Sequence, residues 1–479
     1  MVWLLPEPRR VARWRVMPTP GTSAISRWLH AAGRPAVAAG LGAALVAGCA
    51  HDTPLPLATA SPLRAAITRP ASTCCPLDVA GVVALALENN PDLAATRARR
   101  GVAQEQRLAS GILPNPNFAG AVLPLLSGVG DVTAWTAGLT QDIKSLVTYR
   151  ARRRGAGFAA GQVDADILWQ EWLVAGQARQ LAVDLIVGER SRASLVEALT
   201  LLGHRNDVLQ AALAAGNATL VTAAPSLVGF QNARAEVDAL DQRQLNLRHQ
   251  LNALLGLVPE ALVPLASDPG LPPFDPVAIR ASLATLPDRR PDLLALRLGY
   301  AAQEAAVRQQ ILAQFPDLVL GASGSSDNSR VINGGPELSI GVPVFDRNQG
   351  NIAIAQATRA QLHADYSARL AAVIGQVGAT LREMAQLSAQ LAIVRRDLPL
   401  ARRAAANAVA AFGNSSLDER SYVDLVTNRF AKEREIMTLE LALLDRQVAL
   451  QTLVGAGLPS VETLAPAMPG VERVAAVPE

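Results

Sequence analysis

Residues able to do chemistry are few in this sequence, and they are scattered. It contains no HExxH, no GxSxG, no P-loop and no GxGxxG on a strand-to-helix turn, so it has no motif for zinc hydrolysis, serine acyl transfer, or nucleotide or dinucleotide binding. The five histidines, His30, His51, His204, His249 and His363, stand far apart without metal-ligand spacing. They read as surface or core residues, and neither a metal site nor a cofactor is expected. Of the three cysteines, Cys74 and Cys75 are adjacent in a Pro/Ser/Thr-rich stretch and have no distant partner. They support neither a disulfide framework nor a CxxC site. The tightest group of charged and phenolic side chains is in "SSLDERSYVDL", which holds Asp418, Glu419, Arg420, Tyr422 and Asp424. Taken alone these are solvated turn charges and helix caps. No catalytic residue is expected, and the chain does not read as an enzyme.

Cys49 is different. Arg9, Arg10, Arg13, Arg15, Arg27 and Arg34 precede the apolar run from Ala36 to Cys49, which is too short and too rich in small residues to span a bilayer. The run ends in Val46-Ala47-Gly48-Cys49, which resembles a bacterial lipobox. That resemblance implies a signal peptide over 1–48 and a lipidated, palmitate-bearing Cys49 as the first mature residue. Ala50 in place of Asp resembles the sorting pattern for the outer membrane. Met17 offers a second start that would shorten the long leader. The formal net charge is +3. Much of the excess is in the leader arginines, so no concentrated basic face remains to mark a nucleic-acid partner.

The elements that would position these residues come from repetition. Asn90-Pro91-Asp92-Leu93 returns as Arg290-Pro291-Asp292-Leu293, and Leu113-Pro114-Asn115-Pro116 as Phe315-Pro316-Asp317. Each Asx/Arg-Pro opens a helix, because proline suits a first turn whose N–H has no partner. Each later proline ends it. The period then changes to two. In "TAWTAGLTQD" Trp135, Ala137 and Leu139 alternate with Thr136, Gly138 and Thr140. In "ELSIGVPV" Leu338, Ile340, Val342 and Val344 alternate with Glu337, Ser339 and Gly341. Partner strands are expected over 117–126 and 317–325, which gives one hairpin per copy. Long helices follow, and the first is proline-free from Asp142 to about Ala215. "AAGNATL" and "AFGNSSL" interrupt them at matching places, so helix-hairpin tips are expected at Gly216-Asn217 and Gly413-Asn414. The returning helix of the first copy has a coiled-coil seam of Phe230, Ala233, Val237, Leu240, Leu247, Leu251 and Leu254, with Gln244 as a polar exception. The last helix carries two stripes, one including Leu425, Leu443 and Leu450 and the other Val426, Phe430 and Val448, as a helix with two neighbours would. The resulting domains are a lipidated tether at 49–76, a first repeat at 77–257, a Pro-rich linker at 258–286, a second repeat at 287–457 and a tail at 458–479.

Two hairpins make four strands. Strands crossing a bilayer must close into a barrel, and single-chain outer-membrane barrels have at least eight. If these strands enter a membrane, the chain must therefore assemble with copies of itself.

The paired motifs, and above all "GPELSIGVPVFDRNQGNIAIAQA" from Gly335 to Ala357, resemble the outer membrane efflux protein family, the TolC-like channels of tripartite pumps. The resemblance covers about residues 77–457. It implies a mainly α fold with a membrane β-barrel: two repeats of long helical hairpins plus β-hairpins, assembled as a trimer with an α-barrel and a twelve-stranded β-barrel. It implies a passive conduit in the outer membrane, extending into the periplasm. The implied partners are a homotrimer, a periplasmic adaptor (membrane fusion protein), an inner-membrane transporter and outer-membrane lipid; "PVFDRNQGNIA" leans toward an RND-type transporter. In similar channels acidic residues ring the tip, so Asp418, Glu419 and Asp424 become gate candidates, with Arg420 and Tyr422 as latch partners. The first tip has no acid, and Pro225 just after it breaks the expectation of a smooth helix. Arg150, Arg152, Arg153 and Arg154 read as a basic rim or a solvated helix face. Two other readings stay open: a lipid-anchored periplasmic coiled-coil scaffold, and a type I secretion conduit.

Overall fold

The structure is a computed structural model that describes residues 53–67, 76–272 and 275–461. Cys49, Cys74 and Cys75 lie outside the described residues. Residues Met1–Pro62 form one unit and Leu63–Glu479 another; the architecture below is that of the second.

The fold begins earlier than the period suggests. Arg64 pairs with the backbone of Gly256 and Val258, and Leu77 with Pro264 and Ala266, so the N-terminal strand segments run beside the stretch that leaves the first repeat. Helix α1 spans Val79–Asn89 and α2 Pro91–Ser110. Asp78 caps α1 by accepting from the Gly81 N–H, and Asn90 caps α2 by accepting from the Leu93 N–H. Strands β1 (Asn117–Leu123) and β2 (Ala134–Asp142) follow. Helix α3 runs unbroken through 71 residues, Lys144–Ala214, a length of about 105 Å at 1.5 Å per residue. Helix α4, Leu220–Leu254, returns beside it. Pro225 lies inside α4 without breaking it; so close to the N-terminus its missing N–H frees only one carbonyl.

After the linker, α5 (Pro276–Ser282), a single 3₁₀ turn and α6 (Leu286–Arg289) lead into the second copy. This comprises α7 (Pro291–Leu312), β3 (Leu318–Ser326), β4 (Ile332–Ile340), α8 (Gln349–Gly413) and α9 (Glu419–Val454). Each long helix has two partners in succession. The short helices α2 and α7 cover the first half of α3, and α4 and α9 cover the second. Trp172 sits at the changeover, packed with Leu168, Ala295 and Leu298. Further on, Leu181, Leu185 and Ile186 of α3 pack with Val82 of α1, Leu251 of α4 and Val448 of α9.

The doubled motif has a structural purpose. In the first copy the Asn90 amide donates to the Leu254 carbonyl, at 2.9 Å. In the second the Arg290 guanidinium donates to the Leu453 carbonyl, at 2.6 Å. The residue before each proline thus fastens the entry of its repeat to the end of that repeat's own returning helix. Arg290 is fully buried, bidentate to Asp292 at 2.9 and 2.7 Å, and its guanidinium lies 4.8 Å from the Trp169 ring centre. Arg369 of α8 donates to the same carboxylate at 2.8 Å. Burial pushes the Asp292 carboxyl up, but the hydrogen bonds and charge of Arg290 and Arg369 outweigh it and hold it below the usual range.

The strands form one antiparallel sheet in the order β1-β2-β3-β4. Two strand expectations are corrected. The first strand ends at Leu123 rather than running to 126. The fourth occupies Ile332–Ile340 rather than 337–344, so Val342 and Val344 lie beyond it. Pairing decides this: β4 matches β3 from Ile332↔Ser326 to Leu318↔Ile340, taking Gly334 and Pro336 into the strand. The Gly341 N–H bonds Asp317, and by the antiparallel alternation Pro336 falls where its nitrogen points away from β3, so the ring removes no bond from that ladder.

Candidate functional site

Two regions stand out: the helix-hairpin tips and the sheet. At the first tip Gly216 takes the left-handed conformation, φ +75°, and the Asn217 N–H bonds the Ala212 carbonyl. Thr219 then caps α4. At the second tip the left-handed residue is not at the matching Gly413 but at Ser415, φ +58°, with the Ser416 N–H bonding the Ala411 carbonyl. Helix α8 runs two residues further than the glycine match implies, and Gly413 is its last residue. Both tips close with the same helix-stop motif.

The five tip candidates have three different environments. Asp418 caps α9, and the hydrogen bonds from Ser421 hold its carboxyl below the usual range. Glu419 is buried against α3, taking both bonds of the Arg205 fork (Nε contacts of 3.0 and 3.1 Å), while Arg205 lies 4.3 Å from the centre of the Phe412 ring. Tyr422 is buried against Phe412, ring centres 4.8 Å apart, and burial raises its phenol. Arg420 and Asp424 face solvent, as the capping Asp418 does, with their charged groups 4.0 Å apart. Sequence reasoning missed Arg205 and Phe412, since nothing local to α3 points to a partner more than two hundred positions later.

Within the sheet the register sorts every side chain onto one of two faces. One face carries Phe118, Val122, Trp135, Leu139, Leu320, Ile332, Leu338 and Ile340. They remain open to solvent, Phe118 at 70% and Leu338 at 60%. The other carries Asn117, Ala119, Leu123, Thr136, Gly138, Thr140, Asp142, Val319, Gly321, Ser323, Ser325, Asn333, Glu337 and Ser339, with Leu123, Asp142 and Val319 towards its ends. Both outer strands, β1 and β4, have an unpaired edge. A sheet with an aromatic-bearing apolar face, a small polar face and two open edges lacks the neighbours that would complete it. At its base Lys144 pairs with Asp317 at 2.7 Å. In the basic run below, Arg152 bonds the carbonyls of Ser110 and Ile112, and Arg154 lies over Phe158.

Among the described residues no group of three His, Cys, Asp or Glu is placed to hold a metal ion, and no helix is long and apolar enough to cross a membrane.

This arrangement of long helical hairpins and a four-stranded antiparallel sheet is the fold of outer-membrane channels. A membrane protein from Pseudomonas aeruginosa superimposes with TM-score 0.67 at 20% identity, over 83% of this chain and 98% of that one. The outer membrane protein VceC of Vibrio cholerae gives 0.65 at 17%, over 80% and 97%. The CmeC outer membrane channel of Campylobacter jejuni gives 0.66 at 16%, over 81% and 88%. No curated protein matches the chain in sequence. Residues 283–456 match the family model described as outer membrane efflux protein, and the second repeat is a domain of that family. Several of the solved structures with this fold are outer-membrane channels.

Proposed function

We propose that three copies of this chain close a twelve-stranded barrel in the outer membrane and form the exit conduit of a tripartite efflux pump. The carrying observation is the sheet: four strands, two open edges, one apolar and one polar face. Three such sheets joined edge to edge satisfy every backbone edge and turn the apolar faces to lipid. The long hairpins would continue the duct into the periplasm, where the tips meet an adaptor linked to an inner-membrane transporter of the RND type. Lipidation at Cys49 would anchor each chain. At the tip, Asp424 with Arg420 is the pair free to form an inter-chain latch, whereas Glu419 ties the second hairpin to α3 of the first and Tyr422 packs within the second.

The test is single-channel conductance of the detergent-extracted protein in a planar bilayer, with oligomeric mass measured on the same sample. A conducting trimer is expected. A water-soluble dimer without conductance would replace this reading with the lipid-anchored scaffold. Replacing Cys49 with Ser should abolish lipid labelling, and persistent labelling would refute the anchor.

A further inference from the structure

Glu337 is the one charged side chain on the inner rows of the sheet's polar face. Its neighbours there are Gly321 directly across on β3, then Thr140 and Asn117 in the same row. The carboxylate leans across β3 toward β2, its Oε2 3.8 Å from where a Cβ on Gly138 would stand. Gly138 leaves the space in which it lies, since a side chain there would stand against it. Among the described residues none gives Glu337 a hydrogen bond or an ion pair. The strands hold no Lys or Arg. The nearest charges along the chain are at the ends: Asp142, which accepts from the Lys144 N–H, the Lys144–Asp317 pair, and Arg330 in the β3–β4 turn.

We infer that Glu337 sets the charge selectivity of the conduit, favouring cations over anions within the barrel. The inference rests on the trimeric-conduit reading, which places three Glu337 carboxylates around one lumen. Twelve strands spaced about 4.8 Å apart and tilted about 40° give a backbone radius of about 12 Å. A side chain lying along the wall then holds its charge about 9 Å from the axis. That distance is close to the Debye length at 0.1 M salt, about 10 Å, and three times that at 1 M, about 3 Å. Summing three unit charges in water, screened over that path, gives a cation-to-anion ratio on the axis of about six at 0.1 M and close to one at 1 M. The small residues around the ring matter to this, because they leave the lumen wide and supply no competing charge. Arg150 and Arg153, on α3 below the barrel, act in the opposite sense, so the sign of the measured preference shows which group governs.

The experiment is the reversal potential of single channels in a KCl gradient, for the wild-type protein, Glu337→Gln and Glu337→Lys, each first shown to be trimeric. At 0.1 M mean salt the wild type should prefer K⁺, Glu337→Gln should lose several-fold of that preference, and Glu337→Lys should prefer Cl⁻. Near 1 M the three should converge. Conducting wild-type and Glu337→Gln trimers with equal permeability ratios at 0.1 M overturn the role of Glu337 and leave the conduit standing. A wild-type protein that forms no channel overturns both.

Discussion

Replacing Asp292 by Ala should damage the junction where the second repeat closes on itself. The carboxylate accepts from Arg290 at 2.9 and 2.7 Å and from Arg369 at 2.8 Å. The Arg290 side chain is 1% exposed, so its charge would stay buried without a counter-ion. Breaking a buried pair in this way costs about 3–5 kcal/mol. The partly exposed Arg369 turns to water and adds little. In a chain of this size such a loss lowers the melting temperature by roughly 3–6 °C. The assay is loss of helical ellipticity in detergent at one scan rate, with Arg290→Met/Asp292→Leu alongside. The double variant should regain at least half of the loss, since it leaves no stranded charge, although Leu453 loses its donor and Trp169 one of its two cations. A melting temperature for Asp292→Ala within about 1 °C of the wild type would refute the reasoning. The sign with pH follows from the direction of the shift. The folded Asp292 titrates below the unfolded value, so its contribution is complete above about pH 4–5 and is lost as pH falls toward the folded value. Below that window Asp292→Asn should lose less stability than the wild type.

Asp445 should behave in the opposite sense: burial, with Asp184 nearby, raises its carboxyl against a hydrogen bond from Gln180. Its charged form therefore opposes folding above the folded pKa, and Asp445→Asn should raise stability at pH 7, with the gain shrinking on acidification. Ser415→Gly should stabilise the second tip by about 1 kcal/mol, because only glycine takes the left-handed conformation without strain; chemical denaturation would detect it. Glu419→Gln should weaken the bond to Arg205 by about 1.5–3 kcal/mol and speed hydrogen exchange around 413–423. Asp424→Ala with Arg420→Ser should raise conductance without that loss of protection, and unchanged conductance would remove the pair from gating.

The repeat, the helix starts and the tips were legible because each rests on local chemistry: a capping side chain, a proline in the first turn, a change of period. The seam of α4 was legible too, including its exception. Gln244 is buried and its amide fills the gap above Gly188, where a Cβ would overlap it. What stayed hidden depends on distant partners. The position of β4 was misread because Gly334 and Pro336 look like turn residues until β3 pairs with them. The inward turn of Glu419 and Tyr422 needed Arg205 and Phe412 from other helices. The two-residue offset of the second tip needed backbone angles, since Ser415 is not a residue that advertises a left-handed turn.

The pairing of β2 with β3 also constrains how the protein is made. Trp135 faces Ser326, and Asp142 faces Val319: neighbours in the sheet are separated by nearly two hundred positions of chain. Until the second repeat has emerged, β1 and β2 are a two-stranded ribbon with an apolar face and no continuation, a form with marginal stability in water. Sheet completion is thus a late event with a long loop to close, and it must wait on the helices that bring the two halves together. A chain truncated before β3 would expose that ribbon for its whole lifetime, which makes the first repeat alone the species most prone to aggregate.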